Sequence, residues 1–478
     1  MPSFGVAIAV GAAGIATGLA MAAGLQTAGL KGALAPTIAV LGLLLLRFPG
    51  VAFGLLIAGS VVVEGEAPGL VPPFGSFYDV AIASLTPQDL LLVAGLAGVL
   101  LAFAVESRRP RLPDPLIAPL ALLGLAIVAG AATGYAAHAG VSQGELFHRS
   151  MTASYLILVP LLAVNVLRDT RALRICLAIG AALAAFKAVS GLYAAFGGIG
   201  SVVEDETVTY LSPVPNFVML VFVLGVAAAL VRRVRLPTWA LAGAPLALLA
   251  LLLSYRRSFW IAAAFTLIVV VVIASRRRGR AVVALLAVAL ALGVGGTLLV
   301  GAGDRSGDPL NERVQTLSPS GIGTNRGDRY RMDERRNVIR NIREHPLTGI
   351  GLGVPWTVHY PLAEAHDRRY AHFALLWFWL AFGPLGAIAY VALMAAGLWT
   401  AVRVWRHHPD PLVQVGAIAA FGGLLGLVIV ELTATFTAVE PRTSLVLGGL
   451  LGWLAAAWFD IPAPEPKPSR AALAAPPA

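Results

Sequence analysis

Apolar residues in this chain come in blocks. Leu/Ala/Val/Gly-rich runs fall at 5–27, 32–46, 50–63, 89–105, 115–135, 151–167, 175–196, 216–231, 237–253, 258–275, 281–302, 371–402, 412–431 and 443–459. A helix needs about 17–25 such residues to cross the hydrocarbon core of a bilayer. The runs lack the period of two that a membrane barrel strand requires. A segment in lipid must also satisfy its own backbone polar groups, which a single run does only as a helix. The pattern predicts an all-α, polytopic transmembrane helical bundle of about 12–14 spans. That range allows 32–63 to form one broken hairpin and the shorter runs to be re-entrant.

The polar connectors orient the bundle. Arginine is concentrated at Arg108/Arg109/Arg111, Arg168/Arg171/Arg174, Arg232/Arg233/Arg235, Arg276 to Arg280, and Arg403/Arg406. Short basic loops stay cytoplasmic, and two apolar runs separate each of the first four clusters from the next, as hairpins require. The loops at 136–150, 197–215 and 303–370, and the tight Tyr255-Arg256-Arg257 turn, are therefore expected to face outward, with both termini cytoplasmic. The long loop escapes the charge rule because segments longer than about 60 residues translocate whatever their charge. Four regions result: an N-terminal bundle over 1–302, an extracytoplasmic loop over 303–370, C-terminal transmembrane helices over 371–460, and a cytoplasmic tail over 461–478. The Pro- and Ala-rich tail predicts disorder. The opening MPSFGVAIAVGAAGIATGLAMAAG has no basic stretch before its apolar run, so it reads as a first span and not as a cleavable signal.

Composition narrows the class further. The 478 residues are 58% hydrophobic and 13% charged, with a mean hydropathy of +0.81, against about 25% charged in soluble domains. The net charge of +10 is carried by arginine, the lysines being Lys31, Lys187 and Lys467. Because that charge sits at helix ends, it speaks for topology and contact with anionic membrane lipids, not for nucleic-acid binding. The single cysteine, Cys176, excludes an intramolecular disulfide and a cysteine metal site.

The chemistry is concentrated in the long loop, at NRGDRYRMDERRNVIRNIREHPLTGIGLG (325–353) and at Tyr370-Ala371-His372 just beyond. Met332, Arg335, Val338, Ile339 and Ile342 recur at spacings of three and four, which predicts a helix from about Asp328 to Arg343 with those residues on one side. An aspartate at its start and Arg340 and Arg343 at its end suit the helix dipole, and His345-Pro346 ends it. The prediction is an amphipathic helix on the outer interface, with Arg331 and Arg335 on a shared face. Arg329, Arg331, Arg335 and Arg336 form a cation cluster suited to a phosphate-bearing substrate. The same residues, mixed with Asp328, Asp333, Glu334 and Glu344, also fit a solvated face of weak intrahelical pairs. The glycines of GIGLG follow no strand, so they read as a close backbone approach and not as a dinucleotide loop.

A second outward-facing group is Ser254-Tyr255-Arg256-Arg257-Ser258. Its arginines can snorkel to headgroups, but on the side opposite to the charge bias they are functional candidates. His372, at the start of an apolar helix, offers an imidazole able to accept a proton from an attacking hydroxyl. His345, His359 and His366 show no ligand spacing with acidic partners, so neither a metal nor another cofactor is expected. Lys187 and Glu431 fit either internal pairing or an ion pathway. Glu204-Asp205-Glu206 reads as a solvated outer loop.

The run R-x-x-x-R-x-x-V-I-x-x-I-x-x-H-P-L-T-G-I-G-L-G, followed by Y-A-H-F-A-L-L-W-F-W-L-A-F-G-P-L-G, resembles the O-antigen ligase and polymerase superfamily of membrane glycosyltransferases. Ser254-Tyr255-Arg256-Arg257-Ser258-Phe259-Trp260 resembles that family's S-x-R-x-x-W helix start. The resemblance implies an inverting, metal-independent transfer at the outer face of the cytoplasmic membrane. Its donor would be a glycan on polyprenyl diphosphate, and its acceptor a glycan, glycolipid or similar hydroxyl. Arg257, Arg331 and His372 match the family's catalytic positions, with Arg256, Arg329, Arg335, Arg336 and Tyr370 as substrate-binding neighbours. Two positions depart from the pattern: Phe373 stands where many relatives have asparagine, and a tryptophan common in the loop helix is replaced near Arg335. A polysaccharide polymerase differs only in using a second lipid-linked glycan as acceptor. A secondary transporter of small anions is the competing class, and it predicts matched interrupted helices with charges near midplane.

Overall fold

The computed structural model describes residues 41–63, 85–106, 109–137, 141–198, 201–203, 206–210, 212–275, 326–362 and 367–462. The runs expected at 5–27 and 281–302, the loop segment 303–325, Lys31, His366, Glu204-Asp205, Arg276 to Arg280 and the tail beyond 462 lie outside them. Over their described residues the remaining expected runs form helices, and one more helix lies in the long loop. They are α1 (Leu41–Arg47), α2 (Pro49–Val62), α3 (Pro87–Glu106), α4 (Ile117–Ala136), α5 (Gln143–Val166), α6 (Thr170–Phe196), α7 (Pro213–Arg232), α8 (Thr238–Leu252) and α9 (Arg257–Ala274), then α10 (Arg326–Glu344), α11 (Ala374–His407), α12 (Pro411–Glu431) and α13 (Pro441–Trp458). A short antiparallel hairpin, β1 (Ser201–Val203) and β2 (Glu206–Val208), lies between α6 and α7. Among the described residues eight helices are long and apolar enough to cross a membrane, or up to nine if a bent pair is one span. That pair is α1 and α2, which meet at 111°, the break expected within 32–63.

Caps and breaks decide where the helices deviate from the apolar runs. Helix α5 begins two turns ahead of its run because Ser142 Oγ accepts the Glu145 N–H at 3.1 Å, a cap that lets a polar first stretch stay helical. Helix α13 is buried along nearly its whole length, and Gly452 lets it approach Pro160 of α5, since a Cβ there would lie 2.8 Å from that residue's Cα. Small residues at such a crossing allow the van der Waals contact that drives helix association in lipid.

The run 371–402 is not one straight helix. Within α11, Gly383 adopts φ +69° and Pro384 follows it. Proline has no N–H, so the Leu380 carbonyl loses its i+4 donor. The Ile350 N–H takes that place at 2.8 Å, and the Leu352 N–H reaches Gly130 O of α4 at 2.9 Å. The GIGLG segment thus wedges between α4 and the broken α11. Gly349 (φ +64°) and Gly351 (φ +99°) meet the helix backbones so closely that a Cβ would lie 2.3 Å from Leu380 O or 2.4 Å from Gly134 N. This is the close backbone approach that the sequence predicts.

The described arginine-rich connectors gather at one end of the bundle. There Arg168 donates to Arg109 O and Asn165 Oδ1, Arg174 pairs with Asp410 and Arg232 donates to Gln414. Helix α10, the Tyr255-Arg256 turn and the α12–α13 connector belong to the opposite end.

Candidate functional site

Helix α10 turns a polar seam inward. Tyr330, Glu334, Asn337, Val338, Asn341 and Ile342 are buried, whereas Met332 is 48% exposed and Arg335 is exposed. The face expected from Met332, Arg335, Val338, Ile339 and Ile342 is therefore correct at its C-terminal end and rotated at its start. The reason is hydrogen bonding. Asn337 Oδ1 accepts the His359 and Tyr360 N–H groups at 2.6 and 2.8 Å, and its Nδ2 donates to Tyr360 O at 3.0 Å. One turn on, Asn341 accepts the Thr357 N–H at 2.9 Å and donates to Thr357 O at 2.8 Å. These two asparagines satisfy the backbone of 357–360, which would otherwise be left without partners on the helix side.

The chain then returns to Tyr370-Ala371-His372 over a set of buried donors. Trp356 Nε1 donates to Tyr370 O at 3.0 Å, Thr435 Oγ1 to Ala371 O, and Trp377 Nε1 to Arg369 O at 3.4 Å. From the side, Glu145 of α5 receives Arg149 at 3.1 Å and Arg369 at 3.4 Å, and Arg149 also reaches Asp367 at 3.6 Å. Held in this way, the His372 N–H donates to Glu334 Oε2 at 2.9 Å, and its Nδ1 lies 3.0 Å from both carboxylate oxygens. Nε2 lies 3.3 Å from the Tyr370 hydroxyl. The Tyr330 ring stands edge-on to the imidazole at 5.8 Å.

Of the expected arginines, Arg331 and Arg256 come together here, and Arg257 follows Arg256 in the chain. Arg331 is close enough to act electrostatically on both Tyr370 and Arg256. Arg256 caps the start of α9, with its guanidinium 5.7 Å from the Phe436 ring centre and its buried Nε without a hydrogen-bond partner among the described residues. Burial pushes Arg256 down to about 10, with Glu440 opposing and Arg331 reinforcing the shift, so it remains cationic at neutral pH. Arg257 is the first residue of α9 and half-buried. That first turn contains no acidic residue, so the positive end of the helix dipole adds to the two guanidiniums. Arg335 stacks its guanidinium 5.5 Å from the Phe373 ring centre. Arg329 is exposed. Arg336, 67% exposed, pairs with Asp333 at 3.4 Å on the outer face, where Arg340 likewise pairs with Glu344.

The charged residues inside the spans pair internally. Tyr390 donates to Glu431 at 2.6 Å, and Glu431 accepts the Thr437 N–H at 2.6 Å. Lys187 Nζ sits 4.2 Å from the Tyr210 ring centre. Lys187 belongs to the packing, whereas Glu431 also accepts the Phe436 N–H at 3.2 Å and so braces the connector whose Phe436 ring lies beside Arg256. Among the described residues no group of three or more His, Cys, Asp and Glu is placed to hold a metal ion. The residue that sequence reasoning passed over is Glu334, read as one more member of a solvated charged face. Its signal was the four-residue step from Tyr330 and the seven-residue step to Asn341, which put it on a seam the apolar count overlooked.

Residues 242–391 match the model of a family described as O-Antigen ligase, and that stretch contains Arg256, Arg257, α10, Tyr370 and His372. No curated protein matches the chain.

Proposed function

We propose, from the match of residues 242–391 to the O-Antigen ligase family, that this protein transfers a glycan from a polyprenyl-diphosphate carrier to an acceptor hydroxyl at the outer face of the cytoplasmic membrane. The observation that carries this reading is the approach of Arg256 and Arg331 to one another beside Tyr370 and His372, at the end of the bundle away from the arginine-rich connectors. Glu440 offsets part of the charge on Arg256, and an anion bound between the two guanidiniums would compensate both. A diphosphate supplies that charge, and guanidinium groups match its oxygens.

In this reading the acceptor oxygen attacks the anomeric carbon from the face opposite the diphosphate. The sugar–phosphate bond breaks, the bond to the acceptor forms and the configuration inverts. His372 takes the hydroxyl proton. Negative charge grows on the departing polyprenyl diphosphate, where Arg331, Arg256 and Arg257, aided by the α9 N-terminus, stabilise it. Arg335 and Tyr370 line the glycan side, with Arg329 and Arg336 further out. The chemistry needs no metal, because the cations that a metal would replace are side chains. The apolar carrier explains why such a site is built at a bilayer edge, with the chain in the cytoplasmic membrane and its basic connectors facing the cytoplasm.

Arg257→Ala and Arg331→Ala are each expected to lower glycan transfer in isolated membranes by about 10²–10³-fold, as for other single electrostatic donors; near-normal transfer in both would remove the clamp. Deleting the gene and analysing surface glycans separates the related reactions. Accumulated long lipid-linked polymer supports ligation, and accumulated single repeat units support polymerisation. Unchanged glycans with altered solute uptake overturn the reading in favour of transport.

A further inference from the structure

We propose that Glu334 is a positioning residue that fixes the tautomer of His372, keeping the proton on Nδ1 and leaving Nε2 as the base that meets the acceptor hydroxyl. Its catalytic consequence rests on the transferase reading above; its geometry does not.

A carboxylate only accepts hydrogen bonds, so an imidazole nitrogen facing one must donate. His372 Nδ1 faces both oxygens of Glu334 at 3.0 Å. The opposite tautomer would aim the Nδ1 lone pair at that carboxylate, a repulsion strengthened because the Glu334 side chain is only 3% exposed. The same carboxylate accepts the His372 backbone N–H at 2.9 Å, which ties the ring's orientation to its own main chain. Tyr330, one turn earlier on α10, points its hydroxyl at Glu334 Oε1 at 3.4 Å and packs edge-on against the imidazole. Both contacts oppose a ring flip.

The far nitrogen is arranged to match. Tyr370 OH lies 3.3 Å from Nε2. Burial, then Glu334 and Asp367, push that phenol up to about 12 against the pull of Arg331, so it stays protonated and serves as a donor. A phenol donating to Nε2 and a carboxylate accepting from Nδ1 select the same tautomer. An acceptor hydroxyl that takes over the contact made by Tyr370 would find a lone pair ready to receive its proton. Arg331 and Glu334 are three residues apart and therefore neighbours on the helix surface. One turn of α10 thus presents the leaving-group cation and orients the base.

The test uses the full-length protein in lipid nanodiscs, labelled with ¹⁵N-histidine. The chain has 8 histidines, and the His372 signals are assigned by their loss in His372→Gln. The wild type is expected to show neutral His372 protonated at Nδ1. In Glu334→Gln the carboxamide N–H can donate to Nδ1, so the proton is expected to move to Nε2. Transfer kcat should then fall by about 10²–10⁴-fold, the range of general-base and wrong-tautomer losses, with the donor KM unchanged. Glu334→Asp should keep the Nδ1 proton and part of the activity. A wild-type signal protonated at Nε2, or a Glu334→Gln variant that turns over normally, overturns the proposal. If the tautomer shifts as expected while Arg331→Ala retains transfer, the positioning role stands and the transferase reading falls.

Discussion

The two ends of this bundle use the same residue type for different ends. At the basic end each arginine that takes part in packing is matched by a local group. Arg111 and Arg168 close on Asn165 and on backbone carbonyls, Arg232 donates to Gln414 at 2.6 Å, and Arg403 lies over Trp399 and Trp458. These contacts tie one helix to the next at that end. At the opposite end Arg256 keeps a buried Nε without a hydrogen-bond partner among the described residues and feels a second cation, Arg331. A buried donor left unmade costs about 1–3 kcal/mol, and a fold selected for stability alone has no reason to retain it. Arg256 differs in this from the arginines of the basic end, and Arg369, whose Nε is likewise buried among the described residues, differs from them too.

The largest expected effect breaks the comparison outright. Arg256→Gln should reduce transfer about 10²–10³-fold, roughly 2.7–4 kcal/mol of transition-state stabilisation, while the melting temperature holds or rises because a buried cation has gone. Transfer within tenfold of wild type would erase the distinction between the ends. Gly351→Ala tests the scaffold beneath the site. Its φ of +99° and the clash with Gly134 N should cost at least about 1–3 kcal/mol, read as a lower melting temperature in detergent.

Smaller effects sharpen the contrast. Arg174 is 55% exposed while its partner Asp410 is 4% exposed, which places the pair between surface and buried bridges. Arg174→Gln should therefore cost roughly 1–2 kcal/mol and leave transfer by the folded fraction intact. Arg340→Ala removes an exposed pair with Glu344 and should change stability by less than about 0.5 kcal/mol, with transfer unchanged. A large loss of transfer from Arg340→Ala would show that the outer face of α10 also handles substrate.

Much of the fold was legible because bilayer crossing is a local demand. Each described run from 50–63 to 443–459 stands as a helix; the Ser142 cap extends one of them at its start, and Gly383-Pro384 breaks another within its length. The glycines of GIGLG were legible as a close approach, though not what they approach: the donor missing at Pro384 and its replacement by Ile350 involve residues more than thirty positions apart. For α10 the periodicity was read on apolar residues, and the inward seam is mainly polar. Asn337 and Asn341 face inward because the 357–360 segment supplies partners, and Glu334 does so because His372 does.

By itself the sequence determined an all-helical membrane bundle with its basic connectors at one end, one arginine-bearing helix in the loop at the other, and His372 nearby. Backbone self-sufficiency in lipid and the periodicity of a helix operate over a few residues, and no distant partner is needed to see them. Tertiary structure alone decided which side of α10 turns inward, which arginines draw close to each other and which carboxylate holds the imidazole. Those outcomes depend on hydrogen bonds and charges between segments remote in the chain, whose distances are set only once the helices have packed.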